Sequence, residues 1–87
     1  MKLKVAVYPN PFSSELNVSI ETNLAINTVL KLSDKKGNLI RMIGCPLQTG
    51  ENKMPIANLG KYVPGDYLLE IKLLNGDLVE GFELIKL

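Results

Sequence analysis

The chain has 87 residues and a formal net charge of +1, with 46% hydrophobic and 22% charged residues. A chain of this length forms one domain with a single modest core. The low and evenly spread charge excludes a nucleic-acid-binding surface, which concentrates lysine and arginine. No apolar run approaches the roughly 20 residues that cross a bilayer. The apolar stretch after the basic start at Met1 breaks at Pro9, too early for a signal peptide.

Apolar and polar residues alternate with a period of two along most of the chain, which is typical of strands with one buried face. No window has the spacing of an amphipathic helix, and Ala57–Tyr62 has room for one short turn at most. The alternation predicts strands at Leu3–Val7, Leu16–Glu21, Asn27–Ser33, Leu39–Ile43, Asn52–Ile56, Asp66–Leu74 and Asp77–Leu87. This pattern predicts an all-β fold, a single seven-stranded antiparallel β-sandwich of immunoglobulin-like type, with a barrel as the alternative.

The inward positions of these strands predict the core. They are Val5, Val7, Leu16, Val18, Ile20, Leu30, Leu32, Ile40, Leu59, Tyr67, Leu69 and Ile71. Cys45 is the only cysteine, so the chain cannot form an intrachain disulfide. Its neighbours Gly44 and Pro46 favour a small, semi-buried apolar residue at a strand end or in a loop, with a reactive thiol as the alternative.

Turn residues mark the connections between the predicted strands. Asp34-Lys35-Lys36-Gly37-Asn38 predicts a hairpin, because Gly37 is able to adopt a positive φ. The dipeptide Asn75-Gly76 predicts a second hairpin near the end of the chain.

Prolines shape two further segments. Pro9 and Pro11 flank Asn10 and predict an extended corner between the first two strands. Pro64 and Gly65 suit the two central positions of a type II turn. The strand after them starts with Tyr67, which we expect in the core with its hydroxyl bonded to the backbone.

The sequence offers no recognisable catalytic chemistry. It contains no histidine, which excludes Ser-His-Asp and Cys-His catalysis and the usual zinc sites. The carboxylates occur singly, and no glycine-rich phosphate loop or calcium loop is present. We therefore predict a non-enzyme with no catalytic, metal or cofactor site. The alternative is a carbohydrate-binding or accessory module of a secreted polysaccharide-degrading enzyme, for which only Tyr8 and Tyr62 would be free to bind sugar.

Five segments, in order along nearly the whole chain, carry a family resemblance. They are Val7-Tyr8-Pro9-Asn10-Pro11 with Leu16-Asn17-Val18, the hairpin segment Leu32 to Ile40, the spaced residues Gly50, Met54, Ile56 and Leu59, the segment Pro64 to Ile71, and Leu84-Ile85-Lys86-Leu87. Together they resemble the C-terminal sorting domain of the type IX secretion system, the Por secretion type A tail. One departure is the acidic stretch Glu80-Gly81-Phe82-Glu83, which leaves Lys86 as the only basic residue near the end.

The resemblance implies a non-catalytic secretion signal made of residues 1–87 and excised from a larger secreted precursor. Such a domain passes through the periplasm to the cell surface or beyond, and its partners are the type IX translocon and a surface peptidase. In isolation it is expected to be a monomer. The resemblance assigns the sorting motif to ten residues: Tyr8, Pro9, Asn10, Pro11, Asp34, Gly37, Pro64, Gly65, Tyr67 and Lys86.

The surface that a receptor reads is expected on polar or edge elements, because the core faces are used for folding. An edge strand offers free N–H and C=O groups to which a partner strand can add. The last predicted strand, Asp77–Leu87, is the expected candidate because it ends free at Leu87.

Overall fold

A computed structural model describes residues 3–87; Met1 and Lys2, the basic start considered above, lie outside the described residues. The described chain is built from strands and turns with no helix, so the all-β prediction is confirmed. The strands are β1 (Leu3–Tyr8), β2 (Leu16–Thr22), β3 (Ile26–Asp34), β4 (Leu39–Leu47), β5 (Gly50–Ile56), β6 (Gly65–Leu73) and β7 (Leu78–Lys86).

The strands form two antiparallel sheets, one in the order β1-β2-β5 and the other in the order β4-β3-β6-β7. Because the sheets are separate and pack face to face, the fold is a sandwich, and the barrel alternative is wrong. In immunoglobulin lettering the sheets hold strands A-B-E and C′-C-F-G. The fourth strand therefore pairs with the third and does not join the first sheet as in constant-type domains.

The core lies between the two sheets and follows the predicted alternation. Most of the predicted core residues are buried, whereas Val5, Val7 and Ile40 are only partly buried. These three lie on β1 and β4, which are edge strands. The main residues that the prediction missed are also buried: Phe12, Thr28, Cys45, Leu47, Ile56 and Leu84.

Cys45 lies inside β4, because this strand continues through Gly44 and Pro46 to Leu47. The prediction that the strand ends at Ile43 is wrong. An edge strand tolerates a proline, since a missing N–H on its outer side breaks no bond. The Cys45 carbonyl accepts a 2.6 Å hydrogen bond from the Thr28 hydroxyl. Burial raises the pKa of the Cys45 thiol, which disfavours the thiolate and therefore the reactive-thiol alternative.

The two predicted hairpins are confirmed. Gly37 has φ of 87° in the β3–β4 turn and Gly76 has φ of 96° in the β6–β7 turn. The turns close with the same pattern, in which the glycine N–H donates to the carbonyl of Asp34 in one case and of Leu73 in the other. Both glycines adopt a positive φ, a conformation that glycine reaches without steric cost.

Gly65 opens β6 with φ of 146°, so it is not the second central residue of a type II turn, where φ is about +80°. We expect Gly65→Ala to lower the free energy of unfolding by about 1–2 kcal/mol, since this φ strains any residue with a Cβ. A Cβ at Gly65 would meet no atom within 4 Å, so backbone strain is the only cost.

Gly44→Ala is the matched control. A Cβ there also meets nothing within 4 Å, and the φ of Gly44 lies outside the left-handed region. Urea unfolding of both variants checks this prediction. Equal stability changes at the two positions would contradict it.

Candidate functional site

The segments singled out by sequence lie at one end of the sandwich. The register pairs Tyr8 with Asn17, Asp34 with Tyr67, and Gly65 with Lys86. This brings together residues 8–12, 34–38, 63–67 and 83–87, which we call the motif end. The ten residues of the predicted sorting motif all belong to these segments.

The corner between β1 and β2 covers part of the outer edge of β7. The Asn10 side-chain amide donates to the Glu83 carbonyl at 3.3 Å, and its oxygen accepts from the Ile85 N–H at 3.0 Å. Phe12 continues this pairing: its N–H donates to the Ile85 carbonyl at 2.9 Å, and its carbonyl accepts from the Leu87 N–H at 2.8 Å. Asn10 and Phe12 therefore act as a short added strand, parallel to β7 at Phe12 and Lys86.

This contact corrects the expectation that the last strand ends free. The outward backbone groups of Glu83, Ile85 and Leu87 are already bonded to Asn10 and Phe12. A partner strand could add at this end only by displacing them. Covering an edge in this way is a common protection against unwanted strand pairing.

Two aromatic side chains lie beneath the motif end. Phe12 and Tyr67 are both buried and meet edge to face, with ring centroids 5.9 Å apart and an interplanar angle of 69°. The Tyr67 hydroxyl donates a 2.6 Å hydrogen bond to the Val63 carbonyl, so its predicted backbone partner is confirmed. This is the tyrosine corner of immunoglobulin-like sandwiches. Burial, with a smaller contribution from the Asp34 carboxylate, raises the pKa of Tyr67.

The Asp34 carboxylate organises the β3–β4 turn. Its oxygens accept hydrogen bonds from the Lys36 N–H at 2.9 Å, the Asn38 N–H at 2.8 Å and the Asn38 side-chain amide at 3.1 Å. The backbone bond from Asn38, supported by the other two bonds and by the nearby Lys36 charge, lowers the pKa of Asp34. Asp34 therefore holds the hairpin in the conformation that borders Tyr67.

The lowered pKa gives a testable dependence on pH. Because the pKa of Asp34 is lower in the folded state, its stabilising contribution is present above the unfolded pKa and is lost as pH falls through the folded value. We expect Asp34→Asn to reduce the acid sensitivity of unfolding below about pH 4, where an unfolded aspartate takes up its proton. The measurement is the difference in free energy of unfolding between the two proteins across this range. A difference that does not vary with pH would contradict the prediction.

The structure places the other predicted motif residues in different surroundings. Tyr8, Pro9 and Pro11 are exposed on the corner, and Gly37, Pro64 and Gly65 are exposed in or next to turns. Lys86 is buried, with only 6% of its surface exposed, and its Nζ donates to the Leu87 carbonyl at 3.1 Å. The sequence contained an indication of this burial. Lys86 lies two residues after Leu84, so the two side chains of this strand face the same side of the sheet.

An open groove of about 660 Å³ runs over the outer face of β6 and β7 at the motif end. Asn10 borders it on one side and the β3–β4 turn, with Asp34 and Gly37, on the other. Four of the ten predicted motif residues, Asn10, Asp34, Gly37 and Tyr67, therefore line a concave surface. The side-chain hydrogen bonds of Asn10 and Asp34 hold its two borders in place. Phe12 was not among the candidates, although it lies beneath one border and is bonded to β7.

The described residues show no arrangement suited to metal or sugar. Within residues 3–87, no three His, Cys, Asp or Glu side chains are grouped to hold a metal ion. Tyr8 is exposed, but Tyr62 packs partly against the core with the Lys61 ammonium 5.5 Å from its ring centre. No helix in this part of the chain is long and apolar enough to cross a membrane.

The protein family of the chain follows from a comparison with known families. The family model of the secretion system C-terminal sorting domain, Por_Secre_tail, matches residues 6–82. The chain is a member of this sorting-domain family. The match covers nine of the ten motif residues and stops before Lys86. A search of curated proteins found no match.

Membership confirms the resemblance to the type IX sorting domain. A sorting domain is a secretion signal and not a catalytic domain, and it implies export to the cell surface or the extracellular space. It also implies an interaction with the type IX system. The sugar-binding alternative has no support from the family or from the aromatic side chains described above.

Proposed function

We propose that this sorting domain is the C-terminal signal of a larger secreted precursor and directs its passenger through the type IX translocon. The proposal places residues 1–87 in one domain that passes through the periplasm, is read by the translocon and is removed by a surface peptidase. The family match over residues 6–82 is the observation that carries it.

The geometry of the motif end supports the proposal that the translocon recognises the domain in its folded form. Four hydrogen bonds join this corner to β7, two from the Asn10 side chain and two from the Phe12 backbone. Asp34 on β3 is paired with Tyr67 on β6. These contacts exist only when the first and last parts of the chain are folded together. The proposed receptor therefore meets a preformed surface, borne by a monomeric domain.

A passenger fusion tests the proposed function. A fluorescent protein carrying its own N-terminal signal is placed ahead of residue 1 and expressed in a host with a type IX system. We expect fluorescence at the cell surface or in the medium. The matched controls are the passenger without residues 1–87 and the same fusion in a host lacking the translocon, and both should stay in the periplasm. Equal export of the passenger with and without the domain would reject the proposal.

Lys86 provides a separate prediction for the end of the signal. We expect Lys86→Met to reduce export, because the variant keeps the buried stem but loses the Nζ bond to the Leu87 carbonyl. Lys86→Arg retains a donor and is the matched control, with export expected near the original level. Surface fluorescence per cell is the measurement. Equal export of the two variants would remove Lys86 from the sorting motif.

A further inference from the structure

The floor of the groove at the motif end has a regular chemical pattern. Asp66, Leu68 and Glu70 alternate with the core residues of β6, so their side chains share its outer face. Leu68 is 36% exposed, and it is paired with Glu83 on the neighbouring strand β7. The floor therefore presents an apolar side chain between carboxylates, at steps of about 6.8 Å along the strand.

Gly81 leaves space above this floor. It pairs with Glu70 on the neighbouring strand, and a Cβ at Gly81 would lie 3.9 Å from the Leu68 Cδ1 atom. Because Gly81 has no side chain, one flank of Leu68 stays open to an incoming group. Ile85, 51% exposed and paired with Asp66, adds a second apolar contact at the other end of the groove.

The charge of the groove differs from that of the chain. Its lining includes four carboxylates, those of Asp34, Asp66, Glu70 and Glu83, and one ammonium, that of Lys35. This gives the groove a formal charge of −3, whereas the whole chain carries +1.

Two of these carboxylates are available for a ligand. The Asp34 carboxylate is bonded to its own turn, and Glu70 lies 4.0 Å from the Lys72 ammonium. Asp66 and Glu83 are exposed, and neither forms an ion pair within residues 3–87. The groove thus combines an apolar contact with unneutralised negative charge on both strands of its floor.

We propose that this groove binds an extended segment of a partner protein in which an apolar side chain lies between two basic ones, each two residues away. In an extended segment these three side chains point the same way at steps of about 6.8 Å. The apolar side chain contacts Leu68, and one basic side chain lies over Asp66. The other basic side chain reaches from above Glu70 to Glu83, the carboxylate on the neighbouring strand that forms no ion pair within residues 3–87. The inference goes beyond the sorting function, because it names the chemistry of a partner and holds for the isolated domain.

Peptide titration tests this inference on the 87-residue chain labelled with ¹⁵N. The probe is the peptide Ser-Lys-Thr-Leu-Thr-Lys-Ser, and the control peptide has glutamate in place of both lysines. We expect the basic peptide to shift the amide signals of Asp66, Leu68, Glu83 and Ile85 in a saturable way, and the acidic peptide to leave them unchanged. The affinity should fall as salt is added, since exposed charges are screened.

Two double variants locate the binding. The double variant Asp66→Asn, Glu83→Gln should lower the affinity for the basic peptide about five- to tenfold, as expected for the loss of two exposed ion pairs. Glu21→Gln with Glu51→Gln removes a paired set of exposed carboxylates from the other sheet and should leave the affinity unchanged.

Equal weakening by both double variants, or saturation without shifts in the groove, would overturn the inference. So would equal binding of the acidic peptide. The fusion assay is independent of these results: a domain that exports its passenger but binds no peptide refutes only this inference, and the converse refutes only the sorting proposal.

Discussion

Phe12→Ala is expected to lower the free energy of unfolding by about 3–5 kcal/mol, the usual cost of truncating a buried phenylalanine. Phe12 is 1% exposed and packs edge to face on Tyr67. Its backbone also makes two of the bonds that cover β7, so loss of the ring removes the anchor of that contact. Since small domains have about 5–15 kcal/mol of stability in total, the variant should be close to unfolding.

Two control variants separate the ring of Phe12 from the rest of the corner. Phe12→Leu keeps most of the buried apolar volume and should cost markedly less. Tyr8→Ala changes an aromatic residue of the same corner that is 45% exposed, and it should cost little. Guanidinium unfolding followed by circular dichroism gives the three values. A cost for Phe12→Ala no larger than that of Tyr8→Ala would show that Phe12 does not anchor the corner.

Leu69→Ala is expected to cost about 2–5 kcal/mol, the range for a buried leucine whose surroundings relax only in part. Leu69 has no exposed surface and lies on β6, which is paired with β3 on one side and with β7 on the other. A cavity at this position therefore lies at the centre of the larger sheet, between strands that cannot easily move inward.

Leu68→Ala is the matched control for Leu69, because the two leucines are adjacent and face opposite sides of the same strand. Leu68 is partly exposed, so its truncation should cost less than about 1 kcal/mol. Urea unfolding of both variants gives the comparison. Similar losses at the two positions would mean that the assigned faces of β6 are wrong.

The period-two pattern was enough to predict seven strands, the sandwich and most of the core. It works here because each sheet has one buried face, so every second residue of a strand is apolar. It failed at Pro46, where a residue that usually breaks strands lies on an edge strand. Proline is tolerated in an edge strand but disrupts a central strand. The local sequence does not show which of the two positions a strand occupies in its sheet.

The contacts of the motif end could not be predicted in the same way. The turn chemistry of Asp34 and Gly37 is local, and the sequence located it correctly. The pairing of Asn10 with Ile85 joins residues 75 positions apart, and no local pattern indicates it. The sequence therefore located the turns of the motif end but not the cover that Asn10 and Phe12 form over the last strand.

The cover over β7 also has a consequence for the timing of folding. Its hydrogen bonds join residues 73 and 75 positions apart, so they require nearly the full length of the chain. A polypeptide synthesised from its N-terminus cannot make them until Glu83 to Leu87 have left the ribosome. Contacts over such separations also slow folding, because a long loop must close first. A domain that lacks the last few of these residues therefore cannot form the full cover over β7.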